Sequence, residues 1–149
     1  MRRFGLIGFP LGHSFSKKYF TEKFLLEGID ARYDLYELKS LEEFAELKVS
    51  ENLCGLNVTI PYKQQIIPFL DEMDETAAEI GAVNVIKFIR NGNDLKLKGY
   101  NSDAIGFLQS IRPYLKPHHN KALILGTGGA SLAFDYTLRK LGIETTFVS

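Results

Sequence analysis

The sequence predicts an α/β fold with a mostly parallel sheet and helices on both of its faces. Three observations predict it: short apolar runs of strand length alternate with stretches of helical periodicity, Pro, Gly or Asn closes most of the runs, and no internal repeat interrupts the pattern. The chain has 149 residues, 45% of them hydrophobic, with 18 Lys+Arg against 18 Asp+Glu. That length suits one domain, or one domain and part of a second. So much apolar content with no net charge excludes a disordered chain. The balance also removes the pull that a polyanion or an anionic membrane exerts on a basic protein, so neither nucleic acid nor a membrane is an expected partner. Cys54 is the only cysteine, so no internal disulfide forms, and no Cys/His cluster has zinc spacing. Met-Arg-Arg and the four or five apolar residues after it are too short for a signal peptide or a membrane span, and a reducing cytoplasm is the expected location.

Residues 4–9, Phe-Gly-Leu-Ile-Gly-Phe, read as a buried strand ended by Pro10 and Gly12. A helix follows, with Ser14 or Ser16 as N-cap, Phe20, Phe24 and Leu25 in its core stripe, and Gly28 as its stop. Residues 32–38 read as a second strand and 41–48 as a helix capped by Ser40. Over 55–60 the side chains alternate, Leu56, Val58 and Ile60 on one face and Asn57 and Thr59 on the other, until Pro61 ends the strand. Two short helices are predicted around 62–70 and 74–81. A strand over 83–89, a turn at Asn91-Gly92 and a return strand over 95–100 make a hairpin. A helix over 103–111 carries Ile105, Leu108 and Ile111 at three-residue spacing and stops before Pro113.

The stretch 112–121, with Pro113 and Pro117, is the candidate boundary between a domain over 1–112 and the beginning of a second over 113–149. His118 and His119 within it read as solvated side chains rather than a metal pair. Beyond lie a strand over 122–125, a glycine-rich turn over 126–131, a helix over 130–141 and a strand over 143–148. This is the first part of a Rossmann-type domain.

Gly126-Thr-Gly-Gly-Ala-Ser131 stands between a strand and a helix, where glycines let the backbone approach a pyrophosphate and free helix N–H groups face the anion. No Gly-Lys-Ser/Thr follows at P-loop spacing. Glu144 stands near the distance of a ribose-reading acid, but it reads as a surface residue. In Gly8-Phe-Pro-Leu-Gly-His-Ser-Phe-Ser16 two hydroxyls sit two residues apart at a strand-to-helix junction, as helix caps or as ligand donors, and His13 beside them reads as structural rather than catalytic. In Asn57-Val-Thr-Ile-Pro-Tyr-Lys63 the last residue falls at a helix start. The positive end of the helix dipole there disfavours its charge and readies it for proton transfer, and a solvated lysine is the other reading. Gly81-Ala-Val-Asn84 and Tyr100-Asn-Ser-Asp103 each set an amide or a carboxylate at an element end, with Asp103 either a helix cap or a site residue.

Together, and in this order and spacing, these five motifs resemble the shikimate dehydrogenase family from end to end of the chain. The resemblance implies an enzyme that interconverts 3-dehydroshikimate and shikimate with NADPH or NADP, in aromatic amino-acid biosynthesis. It implies Ser14 and Ser16 as partners of the shikimate carboxylate, Thr59, Asn84 and Asp103 as readers of its hydroxyls, and Lys63 and Asp103 as the catalytic pair, with Lys63 also touching substrate. Gly126, Thr127, Gly128, Gly129, Ala130 and Ser131 correspond to the loop that holds the cofactor diphosphate. Hydride reduction of a ketone leaves charge on oxygen, so an ammonium steadied by a carboxylate suits the step as stabiliser and proton source.

The chain departs from the family pattern at Lys17, where Pro is usual, at Ser102 and Ala104 in place of Thr and Gly, and at Thr127 in place of Ala. None of these removes a functional group. Family members continue well beyond this length, which implies a truncated chain with little activity on its own. Two rivals stand beside this reading: a relative that acts on quinate or uses NAD, and a module that binds shikimate without chemistry.

Overall fold

In the computed structural model, which describes residues 1–12, 14–50 and 52–149 and only the backbone of Ser50, alternation across one sheet sets the architecture. His13 therefore lies outside the described residues. Strand β1 (Arg2–Gly8) pairs in parallel with β2 (Ala31–Glu37) on one side and β3 (Leu53–Val58) on the other. Antiparallel to β3 runs β5 (Val85–Asn91), then antiparallel to it β6 (Asp94–Tyr100), with the two-residue β4 (Glu72–Met73) parallel at the edge. The order is β2-β1-β3-β5-β6-β4. Only β5 runs against the others, so the sheet is mostly parallel but mixed. Strand β4 has no counterpart in the sequence reading, since two residues carry no periodicity.

Each strand sends alternate side chains to opposite faces. On one face, Phe4, Leu6, Tyr33 and Leu35 meet Phe20 and Phe24 of helix α1 (Phe15–Leu26). Leu25, predicted in that stripe, is 82% exposed. Phe20 and Phe24 are one turn apart, and the next residue lies about 100° further round the helix, toward solvent. On the other face, Ile7, Leu53, Leu56, Val58 and Ile86 pack against Phe44 of α2 (Glu42–Ser50) and Ile66, which follows the single-turn helix α3 (Tyr62–Gln65). Ser40 does not act as the predicted cap acceptor. Instead the Glu43 carboxylate accepts from the backbone N–H groups of Lys39 and Ser40.

Helix α4 (Glu75–Ile80) opens on Asp74, whose carboxylate accepts from Ala77 N–H at 2.9 Å, and closes on Gly81. The hairpin loop is Gly92-Asn93, one residue later than predicted, with Gly92 at φ +60°. Helix α5 (Asp103–Ile111) turns Ala104, Phe107 and Ile111 inward, whereas Ile105 is 56% exposed. A second, parallel pair, β7 (Lys121–Leu125) and β8 (Glu144–Val148), is joined by α6 (Gly129–Lys140). Glu144 begins β8. Helix α5 serves both units. Its Ala104 packs with Ile80, Ala82 and Ala133, while Phe107 and Ile111 pack on Ile124, Leu138 and Ile143. Among the described residues no helix is long and apolar enough to cross a membrane.

Phe44 is fully buried, so Phe44→Ala is expected to cost about 3–5 kcal/mol. Leu25→Ala, on the solvent side of α1, is expected to stay within about 0.5 kcal/mol. Urea denaturation of the two variants checks both values.

Candidate functional site

The carboxyl ends of β1 and β3 and the open end of the β5–β6 hairpin bring the polar side chains together. Beyond β3 the chain stays in register for one more residue, Thr59 N–H donating to Ile7 C=O at 2.9 Å, before Pro61 turns it into α3. There the Lys63 carbonyl accepts from Val83 N–H at 2.7 Å, and the Lys63 ammonium lies 2.7 Å from Asp103 Oδ2. The two side chains are 15% and 25% exposed. The helix-dipole argument for Lys63 has little to act on, because α3 is a single turn; its partner is the carboxylate.

Asp103 is held from the other side by Asn84, whose Nδ2 donates to Asp103 Oδ1 at 2.8 Å. Asn84 is 9% exposed, and its Oδ1 accepts from Ser102 N–H at 2.8 Å. Capping of α5 falls to Asn101, whose Oδ1 accepts from the N–H groups of Asp103 (3.0 Å) and Ala104 (3.3 Å) while its Nδ2 donates to Ala82 C=O (2.9 Å). The Asp103 carboxylate is therefore not spent on a cap. It sits in the first turn of α5, where the helix dipole favours negative charge.

Ser14, Ser16 and Thr59 line a second cluster, a cavity of about 380 Å³ walled by Leu6, Leu11 and Phe15. Ser14 occupies the N-cap position of α1 but makes no side-chain cap bond, and its buried Oγ has no partner among the described residues. A buried hydroxyl left unpaired is costly, which suits a site completed by a ligand. The loop carrying it is pinned by Leu11 N–H donating to Glu37 Oε2 at 2.8 Å. Ser16 lies close enough to the Tyr33 phenol to favour its ionised form, the phenol donates to Asn57 Oδ1 at 2.8 Å, and Asn57 Nδ2 reaches Asn84 C=O at 3.5 Å. This chain of contacts ties the serine cluster to the Asn84–Asp103–Lys63 cluster.

The glycine turn approaches the same ammonium-bearing side chain. Gly126 adopts φ +103°, a conformation that favours glycine, and its N–H donates to Val148 C=O at 2.8 Å. Thr127 and Gly128 are exposed, Gly128 has open space where a side chain would stand, and Gly129 touches the stem of Lys63. Ala130 is half-buried. Ser131 is buried, its Oγ turned toward Gly126. Open space at the amino end of a twelve-residue helix suits a dinucleotide diphosphate. Glu144 is exposed and 4.0 Å from Lys121 Nζ.

Tyr33 and Asn101 escaped the sequence reading as site residues. The partner of Tyr33 lies 24 positions away, which no local pattern reveals. Asn101 does carry a signal, an Asx residue two positions before a helix start.

The class so defined is an α/β unit whose buried lysine–carboxylate pair lies against a glycine-rich strand-to-helix turn. Residues 6–86 match the shikimate dehydrogenase substrate binding domain, and the chain belongs to that family. It is 42% identical over 147 residues to a protein of Methanosphaera stadtmanae named shikimate dehydrogenase (NADP(+)), covering 97% of this chain and 50% of that one. The crystal structure of shikimate dehydrogenase 1 from Peptoclostridium difficile superposes with a TM-score of 0.88 at 34% identity, covering 100% of this chain and 57% of that one. The shikimate dehydrogenase of Thermus thermophilus, solved with NADP(H) and shikimate, gives a TM-score of 0.82 at 31% identity over 99% of this chain and 55% of that one. The chain thus spans about half the length of the curated relatives it matches.

Burial raises the Tyr33 phenol from its ordinary 10.0 to about 12, an effect that Ser16 partly offsets. The unfolded chain therefore loses this proton first. The stability tied to neutral Tyr33 is whole below pH 10 and drains away as the pH climbs from 10 to 12. Urea midpoints across that interval are expected to fall less steeply for Tyr33→Phe than for the wild type.

Proposed function

We propose that this chain provides the substrate-binding and catalytic half of an NADP-dependent shikimate dehydrogenase, which reversibly reduces 3-dehydroshikimate to shikimate in aromatic amino-acid biosynthesis. The observation that carries the reading is the Lys63–Asp103 pair at 2.7 Å, set beside a glycine turn that touches Lys63. Residues 1–112 form the shikimate-binding domain and 113–149 begin the NADP-binding domain. A cytoplasmic location goes with the role.

Bound NADPH supplies the hydride. The chain's own residues bind, orient and protonate. Ser14 and Ser16 donate to the substrate carboxylate, and the unpaired Ser14 hydroxyl supports that assignment. Thr59, Asn84 and Asp103 read the ring hydroxyls. The Lys63 ammonium hydrogen-bonds the ketone oxygen, steadies the charge that gathers there and delivers the proton that completes the alcohol. Asp103 keeps the ammonium in place, and Asn84, bonded to the other carboxylate oxygen, keeps Asp103 in place. Gly126, Thr127, Gly128, Gly129 and Ala130 cradle the diphosphate, with Ser131 bracing the turn from inside.

The test follows NADPH absorbance with 3-dehydroshikimate, using the complete gene product that carries this chain. Lys63→Ala is expected to lower kcat by about 10²–10⁴-fold while shikimate affinity shifts by less than about tenfold. Full turnover in Lys63→Ala would sink the catalytic assignment, and shikimate binding without turnover in the wild type would favour a non-catalytic module.

A further inference from the structure

Gly129 is the first residue of α6 and is not among the positive-φ glycines. Its backbone therefore makes no demand for glycine, and alanine is the better helix former. The demand comes from Lys63. A Cβ at position 129 would stand 2.6 Å from Lys63 Cβ, 3.2 Å from Cδ and 3.4 Å from Cγ. The tightest of these contacts falls at the root of the lysine side chain, which cannot swing aside as a tip can. That root is anchored at both ends, by the Val83 N–H on the Lys63 carbonyl at 2.7 Å and by Asp103 on the ammonium at 2.7 Å. Gly128, one residue earlier, meets nothing within 4 Å. The two adjacent glycines thus face different surroundings, one open space and the other the lysine stem.

We infer that Gly129 is a positioning residue for Lys63: it leaves a bare patch on α6 against which the stem lies, so that the ammonium reaches Asp103. The inference rests on the proposed function for the role of Lys63. A methyl group at 129 must open a 2.6 Å approach toward ordinary carbon contact, about 3.5–4.0 Å, moving the stem or the helix by about 1 Å. A displacement of that size costs a well-aligned site up to about 10²-fold in rate.

The experiment is a double-mutant cycle in the complete gene product: Gly129→Ala, Lys63→Met, which keeps the stem and removes the charge, and the two together. With Gly129→Ala, calorimetric shikimate affinity without nucleotide is expected to weaken by at least about threefold. The same variant is expected to lose at least about tenfold in kcat at saturating NADPH. In the Lys63→Met background, adding Gly129→Ala is expected to leave shikimate affinity unchanged. A loss confined to NADPH affinity overturns the inference, as does an equal loss of shikimate affinity in both backgrounds, or no loss at all. Where Gly129→Ala fails to fold, pairing it with Lys63→Gly restores the melting temperature, and one that stays low overturns the inference. A wild type without turnover overturns the proposed function and this inference with it, whereas an active wild type with an unaffected Gly129→Ala overturns the inference alone.

Discussion

The ion pair between Lys63 and Asp103, 40 positions apart in the chain and largely withdrawn from water, is the constraint around which the polar side chains at the end of the six-stranded sheet are arranged. Two opposite charges in that setting must find each other, because either alone would be left poorly solvated. Meeting at 2.7 Å, they link the turn that follows β3 to the first turn of α5. The surrounding amides serve this geometry. Asn84 holds the far oxygen of the carboxylate, and Asn101 takes over the capping that Asp103 would otherwise supply.

Helix α5 shows how one element answers two demands. Its amino end presents the carboxylate, and its inward face packs on Ile80 and Ala82 on one side and on Ile124, Leu138 and Ile143 on the other. The hydroxyl of Thr137 on α6 donates to the Ala104 carbonyl at 3.2 Å, tying the two helices directly behind the site. The glycine turn is thereby held in a fixed relation to the lysine it touches.

Much of this was legible from the sequence, for identifiable reasons. The buried strands β1 and β3, the hairpin, the Gly81 stop and the glycine turn all announce themselves through apolar runs and turn residues, which are local properties. Lys63, Asn84 and Asp103 could be singled out because each falls at an element end within a recognisable motif. What stayed hidden depends on distant neighbours. Leu25 and Ile105 are apolar residues whose exposure only packing decides, β4 exists only because β6 offers it an edge, and Tyr33 gains its partner from another strand. Whether Ser14 and Asp103 cap their helices turns on hydrogen bonds that no spacing rule encodes.

The β5–β6 hairpin delivers Asn84 and the 101–103 segment from its two open ends, where Val85 pairs with Tyr100. Its closed tip at Gly92-Asn93 lies seven paired positions away, about 20 Å along the strands. The polar cluster thus gathers at one extremity, with the whole length of the ladder between it and the bend. Evolution or an engineer can lengthen, shorten or decorate that distal bend, for instance with a reporter peptide, at a distance from the Asn84–Asp103 contact.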